Sequence, residues 1–319
     1  MDNLDPKIIS LLEKLEQKYA ASGQDMVSYL EGLLYNDYVK YWDYIELDTL
    51  LSLQKPRTNI PDEHIFIIYH QITELYFKLT LAEIEQLATY PSLDAAFFIE
   101  RVGRINRYFQ SLTQSFAIMV DGMEPQQFLK YRMSLLPASG FQSVQYRMIE
   151  IGCTDFINLV AREKREGFKE DSSIIEMFDH IYWKEGATIM ANGKKTLTLE
   201  MFEQKYSEEL VWLALDKRGC NLWRLYDKLR AKNGGNAKVE EALRNLDANI
   251  NINWPLVHYR SAVRYLQRDP EDVGATGGTN WQKYLPPRFQ KRIFYPQLWS
   301  EQEVADWGKS WVDTHLGKG

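Results

Sequence analysis

With 319 residues the chain can bury a sizeable core, and aromatics make up 13% of it, with 19 Tyr and 9 Trp. A net charge of −6 and a pI near 5.6 argue against an extended nucleic-acid surface. No apolar run reaches the length a bilayer demands, the opening Met1-Asp2-Asn3-Leu4-Asp5 is acidic and unlike a secretory leader, and the two cysteines, Cys153 and Cys220, cannot build a disulfide framework or a four-thiolate site. The expectation is a soluble, cytoplasmic protein.

The first predicted element is a helix opened by Asp5-Pro6 and stopped at Gly23, with Ile8, Leu11, Leu12, Leu15 and Tyr19 as its apolar stripe. A shorter helical pattern runs from Gln24 to about Leu34. Next comes the aromatic-crowded segment Tyr41-Trp42-Asp43-Tyr44-Ile45-Glu46-Leu47-Asp48, closed by Lys55-Pro56. Such a segment suits either the core of its own chain or a surface on another subunit. Between Pro61 and Pro91 lies a long helical pattern in which Phe66, His70, Thr73 and Phe77 share one face. Asp62 and Glu63 stand where the helix dipole favours negative charge.

A second long helix is predicted from Asp94 to Val120. After Pro125 a short helix, Gln126 to Leu135, puts Phe128 and Arg132 on one face, and another starts near Phe141 beyond Pro137-Ala138-Ser139-Gly140. Residues 165–220 are the least informative stretch, in which only Thr196-Leu197-Thr198-Leu199 alternates like a strand, too briefly to imply a sheet. From Ala237 a helical pattern extends towards Leu266 with Pro255 inside it, so a kink or restart is predicted just before His258. Ser300-Glu301-Gln302-Glu303 reads as a capping box opening a last helix to about Thr314. The predicted fold class is all-α.

The five histidines are His64, His70, His180, His258 and His315, and none is paired at three- or four-residue spacing, which disfavours an all-protein zinc site. A cofactor needing a single protein ligand stays open, haem being the commonest. His258 has the apolar neighbours Leu256, Val257, Ala262 and Val263; an axial iron ligand and a core histidine bonded to a carbonyl both fit that setting. For His70, with Phe66 one turn before it, a wall for a flat aromatic ligand fits, and the pattern alone favours a core position. Arg132 offers a planar fork suited to a carboxylate, or is an ordinary surface arginine. The run Gly274-Ala275-Thr276-Gly277-Gly278 brings amides and a hydroxyl close to any ligand there, without the Lys-Ser/Thr ending of a phosphate loop.

Several blocks taken together resemble the tryptophan 2,3-dioxygenase family. They are Tyr41-Trp42-Asp43-Tyr44-Ile45-Glu46-Leu47-Asp48, the helix segment from Phe66 through Tyr69-His70-Gln71 to Lys78, Ser139-Gly140-Phe141-Gln142-Ser143-Val144-Gln145-Tyr146-Arg147, and Thr276-Gly277-Gly278 after His258. They arrive in the family order and span about residues 40 to 285. The resemblance implies one domain over 1–319, an all-α helical bundle enclosing a b-type haem, with segment 1–55 packed on a neighbouring subunit of an intertwined homotetramer. It implies His258 as proximal haem ligand, Gly277 beside the cofactor, His70 as the distal, catalytic group bonding the indole N–H, and Phe66 against the indole. Arg132 then pairs with the substrate carboxylate, Thr276 holds the amino-acid backbone, Phe128 lies nearby, and Tyr41, Tyr44 and Ile45 enter from the neighbour. The implied reaction adds O2 across the indole C2=C3 bond of L-tryptophan to give N-formyl-L-kynurenine, the first step of tryptophan degradation by the kynurenine pathway.

Two departures fall at the amino-acid end of that pocket. Phe128 stands where bacterial members commonly carry tyrosine, and the loop between His258 and Thr276 is a few residues longer than usual. A haem mono-oxygenase of a substituted tryptophan or another aromatic amino acid, and a haem or indole sensor without turnover, are the alternative readings.

Overall fold

The computed structural model describes residues 4–36, 39–187, 194–266 and 285–309, and the chain divides into two compact units, Met1–Lys55 and Pro56–Gly319. Among the described residues there is no β-strand; Val160 and Ile181 form an isolated antiparallel bridge. Among the described residues no helix is long and apolar enough to cross a membrane.

The first unit holds α1 (Pro6–Ala21), α2 (Met26–Leu34), α3 (Tyr41–Tyr44) and α4 (Leu47–Leu51). Asp5 caps α1 by accepting from the Lys7 amide, as its sequence position predicts, and Gly23 follows at φ +67°, a left-handed value that a side chain disfavours. The Tyr19 and Tyr29 rings stack at 4.7 Å. None of this unit's described residues is buried, so its apolar stripe lacks the core that normally stabilises a helix.

The second unit is organised on α5 (Asp62–Thr89), whose buried residues Tyr69, Thr73, Phe77, Thr80, Ile84 and Leu87 recur at three- and four-residue steps. Each fully buried aromatic or leucine on that face contributes roughly 2–3 kcal/mol. Against it pack α6 (Ala95–Ser115), α7 (Ala117–Asp121), α8 (Pro125–Tyr131) and α9 (Val144–Cys153). The helix predicted over 94–120 is broken at Phe116, between α6 and α7. The ring there meets Tyr69 at 5.6 Å and Trp254 at 5.3 Å, so the break serves tertiary packing that local propensity does not encode.

The outer elements are α10 (Ile174–Asp179), α11 (Tyr182–Gly186), α12 (Leu197–Lys217), α13 (Leu222–Asn233) and α14 (Ala237–Ala248). The strand-like Thr196–Leu199 is instead the start of α12: Thr196 is its N-cap and its hydroxyl accepts from the Leu199 amide. Between α14 and α15 (Trp254–Leu266) the chain winds as a π turn, Asn249–Asn253. This is the predicted restart before His258, and Pro255, lacking an N–H, is its physical cause. The capping box at Ser300 and Glu303 forms as predicted, but its helix ends at Ala305.

Candidate active site

Three elements of the second unit, α5, α8 and α15, carry Phe66, His70, Phe128 and His258. On α5, Phe66 and His70 lie one turn apart with ring centroids 4.1 Å from each other. The start of α5 is tied to the start of α8, because Asp62 Oδ2 accepts the Glu124 amide at 2.6 Å and Gln127 Oε1 accepts the Asp62 amide at 3.3 Å. That clasp sets Phe66 against the α8 aromatics, at 6.3 Å from Phe128 and 5.8 Å from Tyr131. From α15, Tyr265 closes on Phe128 at 4.7 Å, while its hydroxyl donates to the Val120 and Met123 carbonyls.

Both histidines are half-buried and tied to their own helices. His70 Nδ1 lies 2.7 Å from the Phe66 carbonyl, and His258 Nδ1 lies 3.0 Å from that of Trp254. A carbonyl only accepts, so in each ring Nδ1 carries the proton and the neutral tautomer keeps the lone pair of Nε2. Burial lowers both pKa values, that of His258 to about 4, so both rings are neutral at physiological pH. His258 is also pushed down by His70: a charge on one ring disfavours a charge on the other. The His258 ring is walled by Phe116 and Trp254, each at 4.4 Å.

This donor set fits a haem iron. A neutral imidazole with Nδ1 anchored to a backbone carbonyl presents Nε2 in a fixed direction, and the surrounding wall is aromatic and apolar. Among the described residues no group of three or more His, Cys, Asp or Glu gathers to hold a bare metal ion.

Arg132 opens a 3₁₀ turn, Arg132–Leu135, directly after α8, and is only 4% exposed, with burial lowering its pKa. It is therefore not the ordinary surface arginine that the sequence left open. The single helix predicted from Gln126 to Leu135 is divided: Phe128 lies in α8, which ends at Tyr131, and Arg132 begins the 3₁₀ turn. The Tyr131 hydroxyl donates to Met123 Sδ. Tyr41 and Tyr44 in α3 are exposed and Ile45 half-buried, all in the first unit. Thr276 and Gly277 lie outside the described residues.

Sequence reasoning missed four residues of this wall: Phe116, Tyr131, Trp254 and Tyr265. Trp254 and Tyr265 fall at −4 and +7 from His258, on its own helix face, which is a legible pattern. Phe116 sits at the α6–α7 break and nothing local marks it.

A sequence model of the family described as Tryptophan 2,3-dioxygenase matches residues 27–233, more than half of the chain. The chain belongs to the tryptophan 2,3-dioxygenase family. Curated relatives bearing that name agree along most of their length. One from Bacillus thuringiensis subsp. konkukian (strain 97-27) is 28% identical over 281 residues, covering 83% of this chain and 92% of the relative. One from Polaromonas sp. (strain JS666 / ATCC BAA-500) is 25% identical over 271 residues, covering 82% and 86%. Tryptophan 2,3-dioxygenase B of Danio rerio is 29% identical over 280 residues, covering 84% of this chain and 62% of that protein. Membership of the tryptophan 2,3-dioxygenase family makes the chain an enzyme, an oxidoreductase of the dioxygenase class.

Proposed function

We propose that the chain is a haem-dependent dioxygenase that inserts O2 across the indole C2=C3 bond of L-tryptophan and yields N-formyl-L-kynurenine, opening tryptophan degradation by the kynurenine pathway. The observation that carries this reading is the pair of neutral, backbone-anchored imidazoles, each with Nε2 as its remaining lone pair. His258 would hold the iron through Nε2, with Gly277 beside the macrocycle. When bound, ferrous haem supplies the dioxygen chemistry that no side chain performs.

The chain's own groups do the rest. His70 Nε2, an acceptor in this tautomer, takes the indole N–H and fixes the ring's register. Phe66 and Phe128 pack on the indole, and the buried Arg132 donates to the substrate carboxylate in a bidentate pair. Thr276 holds the amino-acid backbone. Tyr41, Tyr44 and Ile45, from a neighbouring subunit's segment 1–55, complete the pocket in a cytoplasmic homotetramer. Fixing the zwitterion at one end and the indole nitrogen at the other removes most of the orientational cost of the reaction before it starts.

The absent hydroxyl at Phe128 gives the mono-oxygenase reading its specific footing. Turnover of L-tryptophan by the reduced, haem-loaded chain under isotopically labelled dioxygen decides between them. Two labelled oxygens in the product support the proposal; one labelled oxygen, or no product, overturns it.

A further inference from the structure

The π turn before the histidine helix leaves one carbonyl without a backbone donor, and two side chains on other elements supply it. The Trp254 amide bonds the Asn249 carbonyl, five residues back, which sets the π register. In that register the next carbonyl, Ile250 O, would take its hydrogen bond from residue 255, and residue 255 is proline. Ile250 O instead accepts from the Tyr146 hydroxyl of α9 and from Arg292 Nη2, both at 3.3 Å. Ile250 is fully buried, so water cannot serve that oxygen, and an unmet buried carbonyl is costly.

The two donors are themselves held. Arg292 Nη2 donates to the Tyr146 oxygen at 2.7 Å, Arg292 Nη1 to Glu150 Oε1 at 2.5 Å, and Arg292 Nε to Asn251 Oδ1. Asn251 in turn donates to the buried Asp247 at 2.6 Å. This rigid cluster therefore grips the turn at two successive residues, Ile250 and Asn251, two turns before His258.

We propose that Tyr146 and Arg292 are positioning residues that replace the N–H missing at Pro255 and so fix the direction in which α15 presents the His258 imidazole. The importance of that direction rests on the reading of His258 as the iron ligand. The coupling to Pro255 does not.

The test is a double-mutant cycle on the full-length chain, read first without haem by hydrogen–deuterium exchange. Tyr146→Phe should raise exchange across residues 254–260 roughly tenfold while α6 amides are unchanged. Adding Pro255→Ala, which returns a backbone N–H at that position, should restore most of the protection. Arg292→Lys, which keeps the charge and loses Nη2, should repeat the Tyr146→Phe effect should the phenylalanine variant not fold. In the haem-loaded chain, Tyr146→Phe should hasten haem transfer to an acceptor protein several-fold, again reversed by Pro255→Ala. Equal exchange in wild type and Tyr146→Phe, or an effect indifferent to Pro255→Ala, overturns the proposal. Coupling in the exchange data with unaltered haem transfer supports the positioning and counts instead against His258 as ligand.

Discussion

A proton on His70 disfavours a proton on His258, although the two rings sit on α5 and α15, nearly two hundred residues apart in sequence. Each ring spends Nδ1 on the carbonyl four residues before it, so the pair meets the site with two acceptor nitrogens and no positive charge. One such nitrogen suits a metal and the other suits an N–H donor. In the proposed reading the first role falls to His258, between Phe116 and Trp254, and the second to His70, beside Phe66.

Acidity should act on His70 before it acts on the fold of the site. Its Nε2 accepts an indole N–H only while the ring is neutral, and burial sets its pKa below the ordinary histidine value. In kcat/KM for L-tryptophan, the acid limb assigned to this ring should therefore have its midpoint below pH 6.5. The check is a pH profile of wild type beside His70→Asn, which should lack the limb. A limb centred above pH 6.5 that vanishes in the variant contradicts the assignment.

Arg132→Leu should raise KM for L-tryptophan roughly 100-fold, the loss expected for a buried, charge-assisted bidentate pair, while the Soret band is retained. Steady-state kinetics and an absorption spectrum of the same sample suffice. Unchanged KM removes Arg132 from the substrate site.

How much of this was legible depended on whether the determinant was local. Helix α5 and its face of Phe66, His70, Thr73 and Phe77 follow from periodicity between two prolines, and the caps at Asp5 and Ser300 follow from hydrogen-bonding chemistry three residues long. Pro255 announced the restart before His258, but not the π register that carries it. Thr196–Leu199 alternates like a strand over four residues, yet the Thr196 hydroxyl caps a helix there, and alternation so short cannot outweigh a cap. The break at Phe116 packs on Tyr69 and Trp254, far away in sequence, so no window along the chain contains it, and no local pattern marks the burial of Arg132. The family resemblance supplied the roles of the histidines, which spacing alone left open.

The C-terminal segment should prove a stability element through Asp247. Its carboxylate accepts the amides of Phe294 and Tyr295, the Trp299 indole N–H and the Asn251 amide, all within 3.1 Å, and it is fully buried. Asp247→Ala strands those donors and should cost about 3 kcal/mol or more. Urea denaturation measures it. A loss under 1 kcal/mol would mean that the segment is held by its aromatic packing alone.

The absorption spectrum of the haem-reconstituted, reduced protein tests the central assignment most directly when wild type is set beside His258→Ala and His70→Ala. The account predicts that His258→Ala loses the Soret band of bound haem and that His70→Ala keeps it with the histidine-ligated ferrous spectrum. Retention of that spectrum in His258→Ala, or its loss in His70→Ala alone, would contradict it.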